Sequence, residues 1–385
     1  MTGHAQPQGK SPLPLPREVI AHHAPALTVA MKEWRDSLRV PPVLLLTGLP
    51  GVGKRSMAFY LSQWLLCERS GMNHHAEREE QTLGLFGLEP EPAAESAPPA
   101  GQEEPHPCGE CASCQKAVHG SWVDFEEITA AEGEETLKIE QFRKLKAKQG
   151  YGAHESDYRI ILISDADRMT TQAANSVLKI LEEPPKGWVF LLTASDSNLL
   201  LPTLVSRCQT LRLRPFTADA LESLLGSTAE GVAIERRKLA ARLAEGSWAR
   251  AVEWTQDAAW KKRGELLDFI HSPQFSTNAL VDWASTDTAS FQRLLDQLES
   301  LTLDLIRFSI EAEGTAPETF AWKNADAARA LSTHARSVIQ KKNGADAARR
   351  WWLERAERIA QARGQLHAPL NRKLLVQDVL LPWLS

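Results

Sequence analysis

The run Pro42-Val43-Leu44-Leu45-Leu46-Thr47 enters Gly48-Leu49-Pro50-Gly51-Val52-Gly53-Lys54 and is followed by a helix-forming stretch, Ser56 to Leu66. A short apolar run of this kind reads as a buried strand. Strand, glycine-rich turn and helix in that order constrain the fold more than any other feature of the chain. The glycines let backbone N–H groups close around phosphate oxygens, the helix N-terminus adds partial positive charge, and a lysine at the place of Lys54 reaches the terminal phosphates. One position departs from this pattern. A Ser or Thr hydroxyl should follow the lysine to hold Mg2+, and Arg55 stands there instead. A guanidinium has only donors and a permanent charge, so it cannot ligate a cation. Ser56 comes one place late, on a different helix face. The turn therefore reads as an impaired phosphate loop that keeps Gly48, Gly53 and Lys54; a glycine-rich turn without nucleotide history is the alternative.

Cys67 closes that helix. Residues 77–107 are rich in Glu and Pro and are expected to form a solvated, disordered insertion. The insertion ends at Cys108-Gly-Glu-Cys111-Ala-Ser-Cys114. Three cysteines at this spacing, with Cys67 as a fourth, point to a tetrathiolate zinc site in a module spanning about 67–118. An iron–sulfur motif would want a further ligand and a Pro after the last Cys. His74, His75 and His106 are spare ligand candidates. The length of the intervening loop is no obstacle: lengthening a loop fivefold costs roughly 1.4 kcal/mol in closure entropy, against about 10–16 kcal/mol from structural zinc.

The 385 residues, 43% hydrophobic and 24% charged, suffice for two or three domains, each with its own core. A formal net charge of −5 argues against a chain that coats nucleic acid with one basic face. No stretch approaches the ~20 apolar residues of a membrane span, and Met1 to Leu15 lacks the apolar core of a signal peptide. A cytoplasmic protein with reduced cysteines is expected. Residues 1–16 read as a loose arm.

Further along, Trp122 to Ile128 alternates like a strand and Ile139 to Gln149 reads as a helix carrying Arg143, Lys144, Lys146 and Lys148. That charge run is either a solvated face or a DNA-facing one. Arg159 to Ile163 is a second buried strand, ending at Ser164-Asp165-Ala166-Asp167. An ATPase of this architecture wants an Asp for the Mg2+ shell followed by a Glu that polarises water. In one register Ser164 and Asp165 hold those places; in the other, Asp165 and Ala166 do. Neither supplies both groups. A helix from Thr171 to Glu183, stopped by Pro184-Pro185, a strand from Val189 to Thr193, and Ser206-Arg207-Cys208 complete a parallel α/β domain at about residue 213.

These residues carry a resemblance. Gly48 to Lys54, the four cysteines, Asn175 to Pro185 with its Leu-Glu-Glu-Pro-Pro, and Leu201-Pro202-Thr203-Leu204-Val205-Ser206-Arg207-Cys208 are similar to the delta-prime subunits of bacterial DNA polymerase III clamp loaders, a family of AAA+ proteins. Asn371 to Leu380 resembles the closing helix of that family. The resemblance implies an α/β AAA+ P-loop NTPase-like core (1–213), a small helical lid (214–270) and an all-α C-terminal collar for oligomerisation (271–385). It implies a hetero-pentamer with the gamma/tau ATPase subunits and delta, reaching the sliding clamp and primed DNA through the complex, with no membrane partner. It also implies a subunit of a nucleotidyltransferase holoenzyme that does not itself hydrolyse ATP, supplying Arg207 as an arginine finger to a neighbour's ATP site; a buried arginine paired with a carboxylate of its own domain is the alternative. Gly246 to Ala251 resembles the second sensor segment, with Arg250 in the sensor place; an ordinary surface arginine is the alternative.

Arg55 and Ser164 favour the delta-prime branch over an active ATPase of the gamma/tau type, while Gly53-Lys54 leaves nucleotide binding open. A zinc-module nucleic-acid-binding protein is a third reading, opposed by the acidic balance. In the C-terminal part, Trp352, Ala356 and Ile359 recur at helical spacing, with Trp351 broadening the apolar stripe into core or interface.

Overall fold

The computed structural model describes residues 17–73, 105–131, 134, 136–229, 231–271, 277–311, 320–366 and 370–384. The expected arm 1–16, His74, His75 and the insertion up to residue 104 lie outside the described residues. The chain divides into two compact units, Met1–Phe216 and Thr217–Ser385.

The first unit opens with helix α1 (Arg17–Ser37), which no local sequence signal marks, and then strand β1 (Val43–Thr47). Helix α2 (Lys54–Leu66) starts at the loop lysine and is closed by Cys67. A short helix α3 (Ala112–His119) carries the cysteine segment into β2 (Phe125–Ile128), α4 (Ile139–Ala147) and β3 (Arg159–Ile163). Then come α5 (Thr171–Glu182), β4 (Trp188–Ala194), the single turn α6 (Pro202–Val205) and β5 (Gln209–Arg212).

The strands form one parallel sheet in the order β2-β3-β4-β1-β5. β1, β3 and β4 are buried along their whole length, as expected of parallel strands covered on both faces. That is why Val43 to Leu46, Ile160 to Ile163 and Val189 to Leu192 are continuous rather than alternating apolar runs. The outer strand β2 is only partly covered. The sequence reading extended it back to Trp122, but the strand starts at Phe125. Trp122 instead packs its ring on Phe59 of α2 and Phe125, at centroid distances of 5.0 and 5.3 Å, and donates Nε1–H to Ser113 O at 2.7 Å.

Helix α5 is amphipathic, with Ala173, Val177, Ile180 and Leu181 buried against the sheet. Full burial of an aliphatic side chain of this size stabilises by about 1.5–3 kcal/mol. Its N-cap is Thr170, whose hydroxyl accepts from Ala173 N at 3.2 Å. Pro184-Pro185 end it, since a proline has no N–H to continue the ladder.

The second unit is helical: α7 (Ala218–Thr228), α8 (Ile234–Leu243), α9 (Trp248–Glu253), α10 (Asp257–His271), α11 (Thr277–Ala284), α12 (Thr288–Glu311), α13 (Ala328–Lys341), α14 (Ala345–Gly364) and α15 (Arg372–Leu380). The division expected at 270 falls inside this unit, one residue before the end of α10. On α14, Ala348, Trp352, Ile359 and Ala362 are buried with Leu294, Leu298 and Leu301 of α12 in one apolar cluster. Arg263 of α10 is enclosed and ion-paired: Nε and Nη2 donate to Asp326 at 2.7 and 2.8 Å, and Nη2 to Asn324 Oδ1 at 2.9 Å. No helix among the described residues is long and apolar enough to cross a membrane.

Candidate functional site

In a parallel sheet the C-terminal strand ends share one edge, and ligand sites gather there. Here that edge collects the Gly48–Lys54 loop after β1, Glu127 near the end of β2, Ser164-Asp165 after β3 and Ser195 after β4. Gly48 has φ +151°, and a Cβ on it would stand 2.8 Å from Leu213 O, so only glycine lets the loop leave β1 against the exit of β5. Gly53, at φ 102°, caps α2 in a left-handed conformation.

The loop is held from both sides. His23 of α1, itself buried, donates from Nε2 to Val52 O at 3.0 Å. Its ring packs edge-on to Phe216, 5.0 Å between centroids, and His22 stacks on the same Phe216 at 4.1 Å. Burial lowers the pKa of both histidines below the ordinary value.

Lys54 is 7% exposed, and its Nζ donates to Gly48 O at 2.8 Å and Leu49 O at 3.0 Å. The lysine thus closes the loop on itself. Desolvation pulls its pKa down, against the opposing pull of Asp165 and Asp167.

Arg55 points to the other side. Its Nε donates to Glu127 Oε1 at 2.5 Å and its Nη2 to Oε2 at 2.6 Å, a fork-to-fork pair. Ser164 Oγ donates to the same Oε1 at 2.6 Å. The Glu127 hydrogen bond raises the Arg55 pKa further, outweighing desolvation. The residues do not fit Mg2+. The Glu127 carboxylate is occupied by a guanidinium and a hydroxyl, and a cation drawn to it would meet the charge of Arg55. Asp165 adopts φ 53° and is exposed, its N–H donating to Thr193 Oγ1 at 2.9 Å. Asp167 accepts from Ser195 N at 2.8 Å and also from the Ser195 hydroxyl. The Asp167 carboxylate is thereby engaged, while that of Asp165 faces solvent with Arg168 Nη1 at 4.0 Å.

Arg207 follows α6 and is 34% exposed. Its Nη2 donates to Glu182 Oε1 at 2.8 Å and its Nη1 to Thr203 O at 2.7 Å. Glu182 is the last residue of α5. Arg250, the sensor candidate, lies in the second unit, with Nη1 3.2 Å from Glu245 Oε2 and Nη2 2.6 Å from Asp296 Oδ2. Among the expected basic residues of α4 and its cap, Lys148 is paired with Glu126 at 2.8 Å.

The cysteine cluster is closed. The Sγ atoms of Cys67, Cys108, Cys111 and Cys114 all lie within 4.8 Å of one another. The Cys67–Cys111 and Cys108–Cys114 separations are 3.9 Å. That is far beyond a disulfide bond of ~2.05 Å and close to the ~3.8 Å between ligands of a tetrahedral centre with metal–sulfur bonds of ~2.3 Å. Backbone N–H groups of Cys108, Glu110, Cys111 and Cys114 point at sulfurs, at 3.3 to 3.4 Å. These donors favour thiolates. Hydrogen bonding from Cys114 lowers the Cys111 pKa, while competition with Cys111 pushes Cys67 up to about 12 and Cys114 upward too. Four closely set sulfur donors fit a divalent cation that takes thiolate ligands. His106 is exposed and not part of this cluster.

Partners of the expected residues that the sequence does not show include His23, Glu127 and Glu182. Glu127 was detectable in principle, as a charged residue near the end of a strand-like run and hence on the ligand edge of a parallel sheet. His23 and Glu182 carry no local signal of their contacts.

A family model described as "DNA polymerase III, delta subunit" matches residues 94–217. The chain is 27% identical to DNA polymerase III subunit delta' of Yersinia pestis, over 88% of this chain and 88% of that protein. It is 27% identical to the subunit of the same name from Pseudomonas aeruginosa, over 89% and 91%. It is 30% identical to DNA polymerase III subunit tau of Escherichia coli over 59% of this chain, but only 31% of that longer protein. With its parallel α/β core, its altered phosphate loop and its helical C-terminal unit, the chain is similar over most of its length to bacterial DNA polymerase III delta' subunits.

Proposed function

We propose that this chain is a clamp-loader subunit that does not hydrolyse ATP and that supplies Arg207 in trans to the ATP site of an adjacent ATPase subunit. The observation that carries this reading is a contrast within the first unit. The chain's own loop is filled by Lys54 on Gly48 and Leu49, and its metal position by Arg55 on Glu127. Arg207, by contrast, lies outside that loop at the end of the α/β core, on the surface, with its fork on Glu182 and Thr203 O. A planar guanidinium stabilises charge on a transferring phosphoryl group through two parallel N–H donors.

The partners are the gamma/tau ATPase subunits and delta in a hetero-pentamer, with the sliding clamp and primed DNA engaged through the complex. Residues 214–270 act as lid and 271–385 as the oligomerisation collar. Zn2+ at Cys67, Cys108, Cys111 and Cys114 is structural, because four protein ligands leave no place for substrate. Arg250 holds the sensor place, with its fork on Glu245 and Asp296.

The identity to tau and the retained Gly53-Lys54 would favour an active gamma/tau-type ATPase; Arg55 and Ser164 oppose it. The test mixes the purified chain with delta and gamma/tau subunits, measures the mass of the product, and measures ATP turnover of the isolated chain. A discrete hetero-oligomer and no Mg2+-dependent turnover are expected. Turnover near ~1 per second by the isolated chain, within the usual enzyme range, would establish the second reading instead.

A further inference from the structure

Arg207 and Glu182 are 25 residues apart in sequence, and each is placed by a proline-defined element. Glu182 is the last residue of α5, which Pro184-Pro185 stop. Arg207 follows α6, which Pro202 starts at its first position. Leu181 and Leu204, the apolar neighbours of each pair, are both buried in the same core cluster. This anchoring brings the Glu182 carboxylate and the Arg207 guanidinium together on the surface, with a 2.8 Å hydrogen bond between them.

The arrangement occupies both ends of the arginine fork. Nη2 is spent on Glu182 and Nη1 on Thr203 O at 2.7 Å, with Ser206 Oγ at 3.5 Å. A fork so engaged cannot give two donors to a phosphate until at least one bond is released. Glu182 also sets a negative charge beside the cation and so weakens its attraction for phosphate oxygens.

We propose that Glu182 is a positioning residue that parks Arg207 on its own subunit until a phosphate of a neighbouring subunit's nucleotide displaces it. This rests on the trans role of Arg207 proposed above and adds the regulation of that role. The carboxylate is 49% exposed. Solvent-exposed pairs of this kind shift an equilibrium by only about 1.4- to 5-fold. The latch is therefore weak enough for a polyphosphate to open and strong enough to lower the fraction of free arginine. The exchange involves no covalent step: one oxyanion replaces another on the same guanidinium.

The experiment uses the complete assembled complex and follows DNA-stimulated ATP hydrolysis with five versions of this chain: wild type, Glu182→Gln, Glu182→Asp, Arg207→Ala and the double variant of Glu182→Gln with Arg207→Ala. Glu182→Gln should raise kcat at the site facing this subunit by about 1.4- to 5-fold, and total turnover by that site's share, with KM moving less than kcat. Glu182→Asp, which keeps the charge, should stay closer to wild type. In the Arg207→Ala background, Glu182→Gln should change nothing. If Arg207→Ala alone leaves the rate unaltered, the trans role itself is wrong. If Arg207→Ala lowers the rate while Glu182→Gln leaves it equal or lower, the trans role stands and the latch is refuted. A Glu182→Gln effect that persists without Arg207 also refutes the latch.

Discussion

The Arg55 guanidinium lies fork-to-fork on the Glu127 carboxylate, with Nε 2.5 Å from Oε1 and Nη2 2.6 Å from Oε2. The pair joins the first turn of α2 to the end of β2 across the ligand edge of the sheet. Ser164, one residue past β3, donates to the same carboxylate. Two positions that an active ATPase gives to its metal are thus bound to each other through a third residue, and this ties the start of α2 to β2 and the end of β3.

Removing that tie has a cost and restores nothing. Arg55→Ala should lower stability by about 1–2 kcal/mol, the low end for a charge-assisted hydrogen-bond pair, because the arginine side chain is 40% exposed. A shift of the urea midpoint at constant slope would report it. Arg55→Thr restores the hydroxyl but leaves Ser164 without a carboxylate. It should therefore give no Mg2+-dependent ATP turnover, and appreciable turnover by that variant would mean that Arg55 alone blocks the site.

The cysteine cluster predicts one zinc ion per chain. Elemental analysis of protein purified without chelator should find about one equivalent, and Cys111→Ser should lower it. Chelation should loosen the segment around α3, because metal-binding free energy is folding free energy in such modules. Less than about half an equivalent in wild-type protein would contradict the assignment.

His23 predicts a pH dependence. Its folded-state pKa lies below the ordinary 6.5, chiefly through burial. As pH falls through about 6.5 the unfolded chain takes up a proton that the folded chain does not, so stability falls with decreasing pH below that value and is unaffected by this group above it. His22 acts in the same direction. The urea midpoint should be lower at about pH 5.5 than at about pH 7.5. His23→Gln, which keeps a donor for Val52 O, should narrow the difference. An equal difference in wild type and variant would show that other groups carry it.

Much of the first unit is legible in the sequence because its signals are local. Val43 to Leu46, Ile160 to Ile163 and Val189 to Leu192 are continuous apolar runs because both faces of a central parallel strand are covered. Gly48 and Gly53 stand where backbone geometry excludes a Cβ. The spacing of Cys108, Cys111 and Cys114 places three thiols around one point, and Cys67 is brought to them by the end of α2. The pairings that decide function are not local. Glu127 is 72 residues from Arg55, Glu182 is 25 from Arg207, and Asp296 is 46 from Arg250. No propensity or period encodes such contacts. Helix α1 escaped for another reason: Pro25 lies inside it, and its pattern is interrupted by His22, His23 and Pro25.

The most direct measurement concerns Arg207. Arg207→Ala chain should be assembled with wild-type partner subunits, its presence in the complex verified by mass, and DNA-stimulated ATP turnover and clamp loading then followed. Turnover at the one site facing this subunit should fall by roughly 10³-fold or more, as for arginine fingers elsewhere. Total turnover should drop by that site's share, and clamp loading should slow. Arg207→Lys should rescue poorly, because it lacks the bidentate fork. Wild-type turnover and loading by a complex shown to contain Arg207→Ala would contradict the account and leave Arg207 as a surface partner of Glu182.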